Sequence, residues 1–509
     1  MRAIGVGDNV FDAYLNLGIA YPGGNAVNCA VNAARLGANS SYCGALADDS
    51  WGEVMRASLR SESVDISLCS LAEKGTTKLV KETREGNERA FLGVDTGCAW
   101  TSFPKLGTEA VADIKEADAV FVGCNGKVEN QLPLFDGHGG ILSFDFGEKA
   151  KYRTEEYFGE VLPHIDLAQF SMQGASDSEI REFLDRQQFA ERDIAVLITR
   201  GALAPVFSFR GREVHGEAAE ASGAVDTMGA GDAFVTALVL DLCCRGWRHG
   251  EAPGTDDEIH DALIRAGEHA ACMCGLEGAF GHPYRWSRAI HAVIFDMDGV
   301  LVESEPYYVQ QLVDIAARHG KAFSEDQVDS IYGSSDEHQL SLLCKVTGES
   351  RAVVEREYNE SFYEHPLDYS KVVIPGAKEL LAYLHGSGIR VAVASSSHLD
   401  DIRRALDQCG LARYVDAVAS GFDECHASKP DPAVYNLALE RLGASPEETF
   451  IVEDSTYGIQ AGVAAGADVL CLRKPHGHAD RAGALLEFDS HEQILGYLDA
   501  VLHPSDRTL

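Results

Sequence analysis

The chain has 509 residues, 45% of them hydrophobic and 24% charged, an ordinary balance for a globular protein and not that of a disordered or collagen-like one. One core rarely grows past ~250–300 residues, so several domains are expected. Lysine and arginine total 43 against 79 aspartates and glutamates, a net charge of −36; such a surface repels nucleic acid and anionic lipid, and neither is expected as a partner.

The opening MRAIGVGDN begins a buried strand with no signal peptide, and no apolar stretch reaches the ~18 residues of a membrane span. The 13 cysteines form no Cys-x-x-Cys pair. Most sit in apolar segments, as Cys29, Cys124 and Cys471 do, so reduced structural thiols in a cytoplasmic protein are expected. Next come GDNVFD (Gly7–Asp12) and YPGGNAVNCAVNAARLGA (Tyr21–Ala38), with paired glycines, two asparagines and then a helical run. TKLVKE and RAFLGV, bridged by TREGN, predict a hairpin near Thr77–Val94. AVFVG (Ala119–Gly123), ILSFDF (Ile141–Phe146) and AVLIT (Ala195–Thr199) lack strict alternation and suit strands buried on both faces.

In DTMGAGDAFVTALVLDLC, Phe234, Leu238 and Leu242 fall at helical spacing, which predicts a helix starting near Asp232. Gly229, Ala230 and Gly231 precede it and can aim successive N–H groups at an anion. A carboxylate at Asp232 can take a proton from a hydroxyl attacking a phosphoryl group. No Gly-x-x-x-x-Gly-Lys-Ser/Thr occurs, which excludes a P-loop kinase. Alone, Gly-Ala-Gly-Asp is equally a glycine turn capped by Asp.

Taken together, GDNVFD, YPGGNAVN, SFDFGEKA, DTMGAGD and GAFG (Gly278–Gly281) resemble the PfkB/ribokinase family of sugar and nucleoside kinases over roughly residues 1–285, and within it the fructoselysine 6-kinase branch. The resemblance implies ATP as phosphoryl donor and a small-molecule sugar as acceptor. Asp12 would grip substrate hydroxyls, Gly23, Gly24, Asn25 and Asn28 would line the sugar, Gly229–Gly231 would form the anion hole, and Asp232 would be the base. Asp226 opens the signature, while Thr199 and Gly201 fall in the nucleotide-contacting loop. Family members associate through lid hairpins, which makes a homo-oligomer one expectation; the ten residues between Asp12 and Gly23 leave little room for the first of them. The family's Asn-x-x-Glu, which helps place Mg²⁺, is missing from QFSMQGASDSE, and the loop TRGALAP lacks its second glycine.

GHPYRWSRAIH (Gly281–His291) marks a boundary, after which strand–helix alternation restarts, interrupted by a helix-rich insertion at about 305–373. The division expected is 1–283, a linker at 284–290, and 291–509. Three apolar runs end in polar residues: AVIF in Asp296, VAVA in Ser395, and FIV in Glu453 and Asp454. In an open parallel sheet such ends gather on one edge. Clustered carboxylates there invite Mg²⁺, an ionised Asp can attack phosphorus, and a second can protonate the leaving oxygen. Lys429 offers a point charge for phosphate. Asp-x-Asp-Gly, then Ser, Lys-Pro and Glu-Asp-Ser resembles the haloacid dehalogenase (HAD) superfamily over about 291–475. That resemblance implies Asp296 as nucleophile, Asp298 as acid/base, Ser395 and Lys429 as phosphate ligands, and a Mg²⁺ site from Asp296, the Asp298 backbone carbonyl, Asp454 and Glu453.

The fold class expected is therefore α/β, a ribokinase-like domain followed by a HAD Rossmann-like parallel-sheet core with an inserted helical cap. The β-phosphoglucomutases share that cap but carry a histidine where Tyr308 stands here; its absence favours hydrolysis of a sugar phosphate over mutase chemistry. The readings are a bifunctional kinase–phosphatase, a kinase–mutase, or a sugar sensor regulating the phosphatase. His138, His215, His269 and His338 fall in no metal-ligand spacing, and Trp51 and Trp247 read as packing residues.

Overall fold

The computed structural model describes residues 1–503 apart from 73–76, 86–87, 98–102, 188, 219–222, 287, 333, 335, 365 and 475–478. Contacts divide it into two units, Met1–Ser287 and Arg288–Leu502.

The first unit contains strands β1 (Arg2–Val6), β2 (Val10–Tyr14), β3 (Ile19–Gly23), β4 (Asn39–Cys43), β5 (Ala45–Ala47), β6 (Ser70–Ala72), β7 (Leu79–Glu85), β8 (Glu88–Asp95), β9 (Ala119–Gly123), β10 (Ile141–Asp145), β11 (Leu167–Ser171), β12 (Ala195–Arg200), β13 (Leu203–Phe209) and β14 (Arg212–His215). Its main sheet has the order β14-β13-β12-β11-β10-β9-β1-β4. From β4 to β12 the neighbours are parallel, and β13 and β14 close the edge antiparallel. Alternate residues feed two separate cores. Val120, Val122, Leu142 and Phe144 pack on one face, and Ala119, Phe121, Ile141 and Leu167 on the other. Burial on both faces is why these runs read as continuously apolar.

A second sheet, β3-β2-β7-β8, stands apart from the first. The short spacing after Asp12 does hold a hairpin: β2 and β3 pair antiparallel from Val10↔Gly23 to Tyr14↔Ile19. Five-residue strands and a tight turn suffice, so the expected shortage of room is corrected. The predicted hairpin of β7 and β8 is present, with its ladder running further than the sequence suggested. Thr83, Arg84 and Glu85, placed in the turn, pair with Ala90, Arg89 and Glu88, and residues 86–87 lie outside the described residues. Tyr284, expected in a linker, bridges to Ala20 of β3 with N···O distances of 2.7 and 2.9 Å. Its ring packs against Trp51 at 4.9 Å, and Trp51 and Trp247 are both buried.

In the second unit β15 (Ala292–Phe295), β16 (Arg390–Ser395), β17 (Ala417–Ser420), β18 (Thr449–Glu453), β19 (Asp468–Leu472) and β20 (Leu486–Phe488) form an all-parallel sheet ordered β17-β16-β15-β18-β19-β20. Between β15 and β16 the chain leaves as helices Glu305–Arg318, Glu325–Asp329, Asp336–Thr347 and Arg351–Glu364. They have their own core of Val309, Leu312, Ile315, Leu343 and Val354. Exit and return are pinned by a Val302↔Val373 bridge. Every cysteine among the described residues is a free thiol, and no described helix is long and apolar enough to cross a membrane.

Truncating Tyr284 removes a ring that is 2% exposed, and loss of a buried aromatic costs about 3–5 kcal/mol. Tyr284→Ala should therefore lower the denaturation midpoint of the first unit, followed by the fluorescence of the adjacent Trp51; an unchanged midpoint would show that the aromatic cluster bears no stability.

Candidate active sites

In the first unit, the helix Ala230–Cys244 starts two residues earlier than its apolar spacing suggested, because Gly229 caps it in the left-handed region at φ 70°. A side chain there would also meet the Ala279 Cβ at 2.7 Å. Asp226 pins the preceding turn, accepting from the backbone N–H groups of Met228 (3.0 Å) and Gly278 (3.2 Å). Asp232 thus falls in the first helical turn, where the helix dipole favours its charge.

Facing it is the N-terminus of helix Asn25–Arg35, capped by Gly24 at φ 111°. A Cβ at Gly24 would lie 2.8 Å from the Asp8 carbonyl oxygen. Asn25 and Asn28, one turn apart, donate through Nδ2 to the two Asp232 oxygens at 2.5 and 2.8 Å. Their own amide oxygens are buried without a hydrogen-bond partner. The missing side chain of Gly23 leaves a space bounded by Asp12 Oδ2 and Asn28 Oδ1, 3.4 and 3.6 Å from where its Cβ would be. The unsatisfied Asn28 oxygen and the Asp12 carboxylate bounding one space suit a polyhydroxylated ligand.

Burial, reinforced by the Asp145 charge, pushes the Asp232 carboxyl up to about 8, against the opposing hydrogen bond from Asn28. Asp145, at the end of β10, shares Asn25 Nδ2 at 3.1 Å. Burial raises it to about 6, with the Gly147 N–H opposing and Asp8 adding repulsion. Asp145 was missed as a site residue, although a polar residue ending an apolar parallel strand was the available signal. A carboxylate so poised accepts a proton near neutral pH.

Thr199, Gly201, Ala230 and Gly231 line a cleft of about 700 Å³ with Phe234 and Ala270. The cleft ends at the helix N-terminus, a site for phosphate oxygens. From the region lacking Asn-x-x-Glu, Gln169 Nε2 reaches the Gly231 carbonyl oxygen at 3.5 Å.

In the second unit the ends of β15, β16 and β18 bring Asp296, Ser395 and Glu453 to one edge. Lys429 Nζ sits between Asp296 Oδ1 (2.5 Å) and Glu453 Oε1 (2.6 Å). Glu453 is fully buried. Its Oε1 also accepts from the Tyr435 hydroxyl at 2.7 Å, and its Oε2 from the N–H groups of Asp454 and Ser455 and from the Ser455 hydroxyl at 2.8–3.1 Å. Asp296, Glu453 and Asp454 come within 4.8 Å of one another. Glu453 is thus the counter-ion of Lys429, and with Asp296 and Asp454 it belongs to the group of carboxylates that could hold a metal ion. Asp454 differs: Oδ2 pairs with Lys474 at 2.5 Å, while Oδ1 is buried with no hydrogen-bond partner. That orphan oxygen, beside Asp296, fits a hard cation such as Mg²⁺.

The Asp298 carboxylate accepts from Ser304 (2.5 Å), Ser397 (3.0 Å) and Ser395 (3.5 Å). Burial raises its pKa against these hydrogen bonds, which favours the protonated, acid form. Burial likewise raises Asp296, chiefly against the attraction of Lys429. Ser304, Ser397, Tyr435 and Lys474 were not anticipated; of these, Lys474 just beyond β19 carried a strand-end signal, and Ser397 lay in the run Ser395–Ser397. Tyr308 packs with Tyr369 near Asp298.

The pfkB family carbohydrate kinase model matches residues 20–280, and the haloacid dehalogenase-like hydrolase model residues 293–472. The fructosamine kinase FrlD of Bacillus subtilis is 32% identical over 288 residues, 56% of this chain and 95% of that protein. The fructoselysine 6-kinase of Escherichia coli is 30% identical over 246 residues, 48% of this chain and 88% of its own length. A phosphorylated carbohydrates phosphatase of Thermotoga maritima is 33% identical over 186 residues, 35% of this chain and 83% of its own length.

A helix interior ordinarily gains about 1 kcal/mol from Gly→Ala. At Gly458 the sign should invert, because the new Cβ would fall 1.7 Å from Glu453 Oε1. Gly458→Ala is expected to destabilise the second unit, read as a lowered urea midpoint; a raised midpoint would mean that Glu453 can move at no cost.

Proposed function

The chain belongs to the pfkB family of carbohydrate kinases in its first unit and to the haloacid dehalogenase-like hydrolases in its second, and from that premise we propose that it phosphorylates a sugar–amine adduct of the fructoselysine type and hydrolyses a sugar phosphate at a separate site. The observation that carries the proposal is the grouping of proton-transferring and phosphate-holding residues in each site. Asp232 is held by two amides at a helix N-terminus beside a nucleotide-sized cleft, and Asp296 is paired with a buried lysine beside an unsatisfied Asp454 oxygen. The likeness to a fructosamine kinase of Bacillus and a fructoselysine 6-kinase of Escherichia supports the choice of acceptor.

In the first site Asp12, Asn25 and Asn28 hold the sugar. Asp232 removes the proton from its hydroxyl, whose oxygen bonds to the γ-phosphorus of ATP as the bond to the β,γ-bridging oxygen breaks and ADP leaves. Thr199 and Gly201 border the nucleotide, and the amides of Gly229–Gly231 receive the developing charge. In the second site Asp296 attacks phosphorus, Asp298 gives its proton to the leaving oxygen, and Ser395 and Lys429 hold the phosphoryl oxygens. A water then attacks the aspartyl-phosphate, Asp298 takes its proton, and phosphate departs. Mg²⁺, held by Asp296, Asp454 and the Asp298 backbone carbonyl, would neutralise phosphoryl charge there. Tyr308, in place of an imidazole beside Asp298, favours water as acceptor, hence hydrolysis over mutase chemistry. Unrestrained action of both sites on one molecule would only consume ATP, so the phosphatase is assigned a later product or a different sugar phosphate.

Asp232→Asn should abolish phosphorylation and spare phosphatase activity, and Asp296→Asn the reverse; loss of both activities in either variant rules out two independent sites. With ATP, Mg²⁺ and fructoselysine, mass spectrometry should find equal sugar phosphate from the native chain and Asp296→Asn. Product from the variant alone would mean that both sites use one molecule, and none from either would overturn the acceptor.

A base must be ionised to act, so kcat/KM for phosphorylation should climb as pH rises through about 8, the value to which Asp232 is pushed. Asp145→Asn removes a repelling charge and should move that limb to lower pH. A pH profile of both proteins that superimposes would remove Asp232 as the titrating base.

A further inference from the structure

At the opposite edge of the first unit's main sheet from Asp145 lies a second group of metal-competent side chains. His138 stands in the connection ahead of β10, Asp166 directly ahead of β11, and His249 in the connection after helix Ala230–Cys244. Sequence spacing gave His138 no metal partners, and the fold supplies them. One ligand atom from each residue lies within 4.8 Å of the others. His138 Nε2 is 2.7 Å from Asp166 Oδ2, and His249 Nδ1 is 2.7 Å from Asp166 Oδ1. The two rings tilt against each other with centroids 4.2 Å apart.

We infer that this group is a structural binding site for a divalent transition ion of the zinc type, with His138 Nε2, His249 Nδ1 and the Asp166 carboxylate as ligands and water completing the shell. Two nitrogens and a carboxylate are a zinc donor set, whereas Mg²⁺ prefers oxygen alone. The outer hydrogen bonds match those that orient metal ligands. His138 Nδ1 lies 3.1 Å from the Phe135 carbonyl oxygen, an acceptor for the ring proton that leaves Nε2 to an ion once one is bound. The Leu142 N–H steadies Asp166 Oδ2 at 2.9 Å. His138 and Asp166 are buried, and His249 is half exposed, which leaves an ion a way in. Hydrogen-bond spacing must open slightly to admit an ion at about 2.0–2.1 Å from each nitrogen, and the exposed His249 connection is where that movement falls. Asp166 is separated by 28 residues from His138 and by 83 from His249. An ion there closes long loops in the folded state alone and stabilises it. Asp145 lies at the far end of β10, so this ion takes no part in phosphoryl transfer.

The test titrates zinc chloride by calorimetry into the metal-stripped full chain and into its His249→Ala and His249→Gln variants, with thermal unfolding of each sample. Glutamine keeps a side-chain hydrogen-bond donor for Asp166 but removes the imidazole, so it separates ion binding from the hydrogen-bond network, and it provides the comparison should the alanine variant not fold. The native chain should bind one more equivalent than the variants, or bind that equivalent at least tenfold more tightly, and only its Tm should rise with zinc. Equal stoichiometry and affinity in native chain and variants overturn the proposal and leave a hydrogen-bonded His–Asp–His network. Cobalt(II) gives a second reading: a strong sulfur-to-metal charge-transfer band for the equivalent in question would place the ion on cysteines and overturn it as well.

Discussion

Both candidate sites rest on carboxylates withdrawn from water at the C-terminal ends of parallel strands and, for Asp232, at a helix start, a placement that costs several kcal/mol per uncompensated charge. The two units meet this cost differently. In the first, Asp145 and Asp232 share the Asn25 amide and Asp232 takes that of Asn28 as well, while Asp8 has backbone N–H groups of Asn25 and Ala26 and Lys78 at 3.8 Å. Partial compensation leaves Asp232 with an elevated pKa and makes it a better base than a solvated aspartate. In the second, Lys429 and Lys474 stand directly against Asp296, Glu453 and Asp454. Asp298 accepts from hydroxyl donors, and burial raises its pKa against them.

Close backbone approach is the second condition on both sites. At Gly24 a side chain would collide with the Asp8 carbonyl, at Gly229 with Ala279, and at Gly299 with Lys474 and Asp454. Each glycine has positive φ as well, so the tight turn and the missing Cβ are one requirement. Gly458 is different: its helix would accept alanine, and the fully buried Glu453 excludes it. Gly299 and Gly458 leave room for the charged groups of Lys474, Asp454 and Glu453, and such groups held in place before a ligand arrives are the preorganisation that phosphoryl transfer exploits.

Much of both sites was legible in the sequence because its residues are local to strand ends and helix starts. Asp12, Gly23 and Asn28 border one space, Asn25 and Asn28 hold Asp232, Gly24 opens their helix, and Thr199, Gly201, Ala230 and Gly231 line a cleft. Asp296, Asp298, Ser395, Lys429 and Asp454 likewise meet at one edge. What escaped was set by contacts between distant segments. Lys474 reaches Glu305 at 2.7 Å across 169 residues, and no spacing rule announces such a pair. The hairpin of β2 and β3 was underestimated because length alone does not tell how tightly a chain can turn.

The sequence by itself determined the α/β class, the two restarts of strand–helix alternation and the type of chemistry each half is equipped for. Those properties depend on residue identity and short-range periodicity, which the fold does not alter. Only the tertiary structure decided how each charge is compensated: that Glu453 pairs with Lys429 and Tyr435, that Asp454 keeps one oxygen free, and that Asp145 presses on Asp232. A carboxylate's partners and burial are properties of three-dimensional neighbourhood, and they separate a base, an acid and a counter-ion among residues that a sequence writes with the same letter.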